Sequence, residues 1–440
     1  MLTELTLRTN ANSLLSIFLG MILFLLAPLF LLSCEDQRVQ TVTWIEYEPV
    51  YMSEADFLSS VSIAPPRDLQ VPGKIYFYQG YLFVNERNEG IHIIDNRDPA
   101  NPVNVGFITI PATKDLAVKG DLLYADSQKD LLVFDISDLQ NPELLERIED
   151  VFNTAANIAP GFTTQQIEPS KGLVVDWKKV KREELCNGNC QSNPQWGFLT
   201  LENASFDAST SSSESGGGVG GSLARFAISG NYLYTVDHTD LITFDIETDD
   251  TNQLSQSSVG WAIETIFPYN DNLFIGSERA MYIYELQNPA NPQLLSVYWH
   301  ATACDPIVVE GDYAFVTLRN SERCPMGENR LEVVNVSDLS TPYMVNFYEM
   351  KNPHGLGIDD GNLFVSEGEF GLKILDASNP LDIKLLRHIE DIKSYDVIPY
   401  NDVLMVTGDE GIIQYDYSDI NDLKKLSTIP VFGEEDDELL

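Results

Sequence analysis

The chain has 440 residues with a formal net charge of −40. Such a surplus of carboxylates argues against nucleic acid and anionic lipid surfaces as direct partners, because both repel it at close range. An acidic surface also keeps extracellular proteins soluble, so the charge alone assigns no role.

Taken from the N-terminus, Ser13–Leu32 is almost wholly apolar and reads as a targeting segment outside the fold. It runs into Leu31-Leu32-Ser33-Cys34, which resembles a bacterial lipobox. The resemblance implies cleavage after residue 33, lipidation of Cys34 and a mature chain starting there. Arg8 is the only basic residue upstream, and an uncleaved membrane anchor is the alternative, since about twenty apolar residues can span a bilayer. Glu35-Asp36 resembles the acidic export signal of Bacteroidota surface lipoproteins. The expected location is therefore the outer membrane at the cell surface, with the periplasmic face or inner-membrane retention as alternatives. Residues 34–42 form a short tether, whose residues 35–42 reach at most ~30 Å. Residues 43–72, beginning with the aromatic run Thr43–Met52, are expected to pack on the following domain or to supply a closing strand.

From residue 73 to 431 one pattern recurs seven times. Each unit has a turn residue (Gly80, Gly120, Gly230, Asn270, Gly311, Gly361, Asn401) and then a marker (Asp95, Asp135, Asp245, Glu285, Asn335, Asp376, Asp416). Marker follows turn by 15 residues in six units and by 24 in the fifth, which therefore carries an insertion of nine. The turns are 40, 110, 40, 41, 50 and 40 residues apart, so a larger insertion of about seventy residues separates units two and three. A period near 40 with four short strands per unit predicts an all-β, seven-bladed β-propeller. Unit two shows the strands: Leu116–Lys119, Leu122–Asp126, Leu131–Ile136 and Glu143–Ile148. A linear β-solenoid, the alternative, usually repeats in shorter coils.

The words around the marker read GIHIIDNRDPANP (90–102), LLVFDISDLQNP (131–142), MYIYELQNPANP (281–292), LEVVNVSDLSTP (331–342) and GLKILDASNPLDI (371–383). They resemble the repeats of LVIVD-repeat proteins, a bacterial propeller family. Units three and seven lack the prolines and match less well. The motif has a local physical sense: the acidic side chain caps backbone N–H groups of the turn, and Pro pre-sets the bend into the outer strand. It specifies a fold and no chemistry. The resemblance implies a surface or periplasmic interaction protein.

The large insertion, 153–221, holds a mixed segment (Phe162–Trp177), a basic stretch (Lys178–Arg182), Trp196, and a low-complexity end (Ser209–Gly221) that reads as flexible. It suggests either a partner-contacting lobe or a decorative surface loop. Four cysteines remain beside Cys34, an even number that suits an oxidising compartment. Cys304 and Cys324 lie in two loops that emerge on one face of unit five, and a disulfide between them is expected. Cys186 and Cys190 are expected to close a small loop; a four-cysteine zinc site is the alternative. Acidic clusters at Glu247–Asp250 and in the tail 432–440 have the chemistry for Ca²⁺, but no EF-hand or RTX pattern is present, and no cofactor is expected.

Residues at the start of the inner strands should ring the axis of a propeller. They are Lys74, Lys114, Asp115, Arg225, Glu264, Asp305, His354 and Asp396, and they are the candidate binding set at the channel mouth. No nucleophile triad, phosphate loop or paired-carboxylate motif stands out. The leading expectation is a non-enzymatic surface lipoprotein that binds a protein partner, by analogy with the propeller lipoprotein of the barrel-assembly machine. The alternatives are a glycan- or peptide-binding lipoprotein with its ligand over the channel, using Trp44, Trp261 or Trp299, and a propeller hydrolase.

Overall fold

The computed structural model describes residues 39–153, 166–187, 219–222, 224–248, 250–301, 306–320 and 328–432. Seven antiparallel sheets repeat along it: blade 1 (72–109), blade 2 (116–148), blade 3 (226–258), blade 4 (263–299), blade 5 (307–349), blade 6 (356–389) and blade 7 (396–430). Each has four consecutive strands paired in chain order. The first strands of successive blades lie against one another and surround the axis, so the fourth strands form the outer rim. The seven-bladed propeller expected from the spacing is the fold.

Local chemistry explains each blade. The first two strands are joined at the seven turn residues, all of which have positive φ, from 48° at Asn401 to 83° at Gly80. Gly and Asn tolerate that region, and the resulting turn twist suits a hairpin. Marker side chains cap the turn after the third strand: the carboxylate or amide of Asp95, Asp135, Asp245, Asn335, Asp376 and Asp416 accepts the N–H two residues on. Every outer strand carries a register shift against the third strand. Such a bulge twists the edge and discourages casual pairing. Alternate residues of the inner three strands are buried between neighbouring blades, as with Phe134, Phe244, Phe274, Phe315 and Phe364. Each such side chain contributes roughly 1.5–3 kcal/mol of burial.

Blade 7 comes wholly from the C-terminus, so no shared strand closes the ring. Closure rests on side chains of blades 1 and 7, including Leu82, Val84, Ile398 and Met405. Leu69 bridges Val431 in parallel fashion, and Phe432 N–H donates to Leu69 O at 2.8 Å.

Val39–Met52 supplies no blade strand; it pairs with Leu173–Asn187 of the large insertion in a two-stranded sheet. Residues 39–45 and 181–187 belong to one compact unit, and the remaining described residues to the other, which holds the propeller. The strand that does join the propeller is short: Ser62–Ala64 adds to the outer edge of blade 1, opposite Phe107–Thr109. Before it, the helix Glu54–Ser59 is capped by Ser53 and buries Phe57 against Ala112 and Val175.

The lipobox Cys34, the apolar segment before it, Cys190, Cys304, Cys324, Trp196 and the tail 433–440 lie outside the described residues. Cys186 lies within the strand Leu173–Asn187. Among the described residues no helix is long and apolar enough to cross a membrane.

Candidate functional site

The upper face of the propeller is the one at which the inner strands begin. Its axial part was expected to present an open ring of charged groups. The structure buries four of the eight, Lys74, Asp115, His354 and Asp396, and leaves Lys114 exposed and Arg225 half-buried. Lys74 Nζ, at the start of blade 1, lies 3.1 Å from Asp115 Oδ2, and both side chains are at most one-tenth exposed. Asp115 also accepts the N–H of Leu116 at 2.7 Å and that of Arg225, whose Nε donates to Val236 O at 3.1 Å. Asp115 thus joins blades 1 and 2 to the chain leading into blade 3. Beside it, buried Asp126 accepts the N–H groups of Lys114 and Asp115 at 2.6 and 2.9 Å. Burial pushes the Asp126 carboxyl above its usual range, and the neighbouring positive charge of Arg225 opposes that shift. Four candidates, Lys74, Lys114, Asp115 and Arg225, are therefore brought together, as parts of a seam.

His354 and Asp396 lie on blades 6 and 7 and are both buried. The backbone carbonyl of His354 accepts from Thr317 Oγ1 of blade 5 at 2.8 Å, and its ring packs edge-on against Tyr395, centroids 5.3 Å apart. Glu264 is half-buried on blade 4, and Asp305 lies outside the described residues. Burial, reinforced by Arg319, holds the His354 imidazole well below its usual pKa. An unfolded chain gains a proton at this residue as pH falls through about 6.5, whereas the folded one does not. The stability linked to His354 is therefore complete above that pH and declines by up to about 1.4 kcal/mol per unit below it. Denaturant titrations at pH 7.5 and 5.5 are expected to show this loss in the wild type. In His354→Gln the pH-dependent difference should shrink by about 1 kcal/mol, whatever the variant's absolute stability.

The chain also runs along the axis. Val219 and Gly220 pair antiparallel with Phe77 and Tyr76 on the inner edge of blade 1. Two residues on, the buried Ser222 Oγ accepts the Leu356 N–H of blade 6 at 2.9 Å. The segment also lies against the inner strand of blade 7. It then continues into Ala224, whose carbonyl accepts the Ile266 N–H of blade 4 at 2.7 Å. The Gly-rich end of the insertion was expected to be flexible, yet its last residues form an axial plug touching blades on both sides of the closing seam. Glycine permits this: at the centre of a propeller, inner strands crowd and leave room only for small side chains.

The surface groups that remain available lie away from the axis. Trp261 and Trp299 are 79% and 68% exposed and sit at opposite ends of the upper edge of blade 4. Trp261 packs edge-on against His238 of blade 3. Trp44 is only half-exposed. The outer strands of blades 4 to 6 leave Leu294, Tyr343, Phe347, Leu381 and Leu385 between 48% and 57% exposed. On the outer strands of blades 1 to 3, Val103, Leu144, Leu145 and Leu254 are 42–56% exposed, so apolar exposure recurs around the rim. It went unnoticed in the sequence because alternating apolar residues in an outer strand look the same whether covered or bare. On the lower face, the seam of blades 1 and 7 opens into a groove of about 370 Å³ lined by Phe77, Arg97, Tyr400 and Met405. Among the described residues no three His, Cys, Asp or Glu side chains converge where a metal ion could sit.

The LVIVD repeat family model matches residues 112–150, 220–256 and 302–349, segments that take in blades 2 and 5 and most of blade 3. No curated protein matches the chain. Among solved structures, a protein from Lactobacillus plantarum is similar at 13% identity over 83% of this chain and 98% of its own, with a TM-score of 0.51. A putative 6-phosphogluconolactonase from Bacteroides fragilis shares 8% identity over 83% and 96% of the two chains, TM-score 0.48. BamB from Moraxella catarrhalis shares 8% over 85% and 97%, TM-score 0.46. At these identities the likeness concerns the fold.

Proposed function

We propose that this propeller is a non-enzymatic, lipid-anchored protein of the outer membrane, exposed at the cell surface, that serves as a rigid scaffold for a protein partner. The observation that carries the reading is the pairing of an occupied inner edge at the axis with an apolar rim. The segment 219–222 lies against blades 1, 6 and 7 at the axis, where a propeller commonly holds a small ligand, while blades 4 to 6 offer apolar side chains outward. The anchor rests on the lipobox-like Leu31–Cys34, and the surface location on Glu35-Asp36. A C-terminal tag on the full chain, with extraction of membranes in mild detergent, tests the scaffold: a stoichiometric protein should co-elute, and a lone monomer would refute it. Cys34→Ser should move the protein from the membrane to the soluble fraction.

A second reading is favoured by Trp261 and Trp299. Indole faces stack on sugar rings, and the two side chains stand at either end of one blade edge, roughly three strand spacings or ~14 Å apart. The ligand would be a neutral oligosaccharide on blade 4, displaced from the plugged axis. Titration with neutral hexasaccharides of glucose, xylose and N-acetylglucosamine should quench tryptophan fluorescence, and Trp261→Ala or Trp299→Ala should weaken binding at least tenfold. An unchanged signal with all three sugars refutes it.

A further inference from the structure

On the lower face the seam between blades 7 and 1 differs from those around it. In three other seams the residue ending an inner strand accepts a turn N–H of the next blade. Tyr78 Oη takes that of Gly120 at 2.9 Å, Tyr269 Oη that of Gly311 at 2.7 Å, and Glu310 Oε2 that of Gly361 at 3.0 Å. Tyr400 ends the inner strand of blade 7, but its ring packs on Phe77 of blade 1, centroids 4.9 Å apart. Among the described residues, the N–H groups of Gln79 and Gly80 in the blade 1 turn and the Tyr400 hydroxyl then meet no hydrogen-bond partner. The corresponding groove between blades 4 and 5, which Tyr269 spans, has about 180 Å³, against about 370 Å³ here.

Arg97 is a second departure. It stands two places after the marker Asp95, where blades 2, 5, 6 and 7 have Ser137, Ser337, Ser378 and Ser418. A Cβ on Gly80 would meet Arg97 Cγ at 2.6 Å, so the bare glycine lets the arginine stem lie against the turn. Asp95 takes up Nε and Nη2, and Nη1 has no partner among the described residues. The groove thus combines hydrogen-bond donors with an apolar wall of Phe77, Val403 and Met405.

We infer that this groove binds a small uncharged molecule that joins a carbonyl oxygen to a compact apolar group. Backbone N–H and guanidinium groups only donate, so the ligand supplies the acceptor. Asp95 cancels the charge of Arg97, and the chain as a whole carries −40, which selects a neutral carbonyl over a carboxylate. The volume falls at the small end of ligand sites, roughly 300–1,000 Å³. Such a ligand touches blades 1 and 7 together.

The test titrates N-benzylacetamide into the full chain by calorimetry, with 3-phenylpropionate as the charged counterpart. The amide should bind with a Kd of about 1 mM or tighter, and the carboxylate at least tenfold more weakly. Arg97→Ser installs the residue of four other blades and should weaken amide binding at least tenfold with the denaturation midpoint little changed. Val403→Trp, which fills the groove, should abolish binding. A carboxylate that binds as tightly as the amide overturns the choice of an uncharged ligand. Amide binding unchanged in both variants overturns the site, and no amide binding in the wild type overturns the proposal.

Discussion

Gln414→Leu is expected to destabilise the propeller by about 2–4 kcal/mol, because it strands a buried amide at the closing seam. Gln414 of blade 7 and Asn96 of blade 1 exchange two hydrogen bonds, at 2.8 and 2.7 Å, and both side chains are at most 2% exposed. Gln414 Nε2 also reaches Pro99 O and Ser427 Oγ. In the other repeats the places of Asn96 are held by Ile136, Ile246, Leu286, Val336, Ala377 and Tyr417. Those of Gln414 are mostly apolar too, as with Ile93, Val133, Ile283, Val333 and Ile374. The polar pair thus occurs only where the two ends of the chain meet. In an apolar ring of near-identical seams, blade 7 has no other amide to satisfy, so the pair specifies which blades close. The double variant Asn96→Leu/Gln414→Leu should recover at least half of the lost stability, since it recreates an ordinary seam. Chemical denaturation of the single and double variants reads both values. Equal or additive losses would show that the pair carries no such specificity.

Asp115→Ala is the second large effect, at about 3–5 kcal/mol. The substitution leaves the nearly buried Lys74 ammonium without its carboxylate and releases the N–H groups of Leu116 and Arg225. Since Arg225 is where the chain leaves the axial plug for blade 3, the loss should also loosen the plug. Limited proteolysis should then cut near residues 219–225 in Asp115→Ala under conditions in which the wild type resists. Lys74→Met should cost less than Asp115→Ala, because the two N–H donors still stabilise the carboxylate.

Much of this architecture was legible in the sequence for a physical reason. The turn residues must tolerate positive φ, and the markers must accept a backbone N–H, so both recur at fixed spacing whatever packs around them. Gly80 and Asp95 could be assigned without any neighbour in view. The plug could not. Val219–Ser222 has no periodicity, and its order comes from partners on blades 1 and 6 that are over a hundred residues away in sequence. The strand Ser62–Ala64 is too short to signal itself and contains only one large apolar residue. The ribbon of Val39–Met52 with Leu173–Asn187 likewise depends on a distant partner. Among the candidate site residues, charge and position brought Lys74, Asp115 and Arg225 to one seam. The same sequence features could not show that these three would satisfy one another. The Asn96–Gln414 pair was visible as a double departure from the repeat, and only the ring's closure gives the departure meaning.

An experimental density map of the tagged protein with whatever co-purifies would test the division between an occupied inner edge at the axis and a working rim most directly. The expected result is partner density along the outer strands of blades 4 to 6, with Val219–Ser222 still seated between blades 1 and 6. Partner or ligand density inside the channel, with that segment displaced and the rim bare, would contradict it.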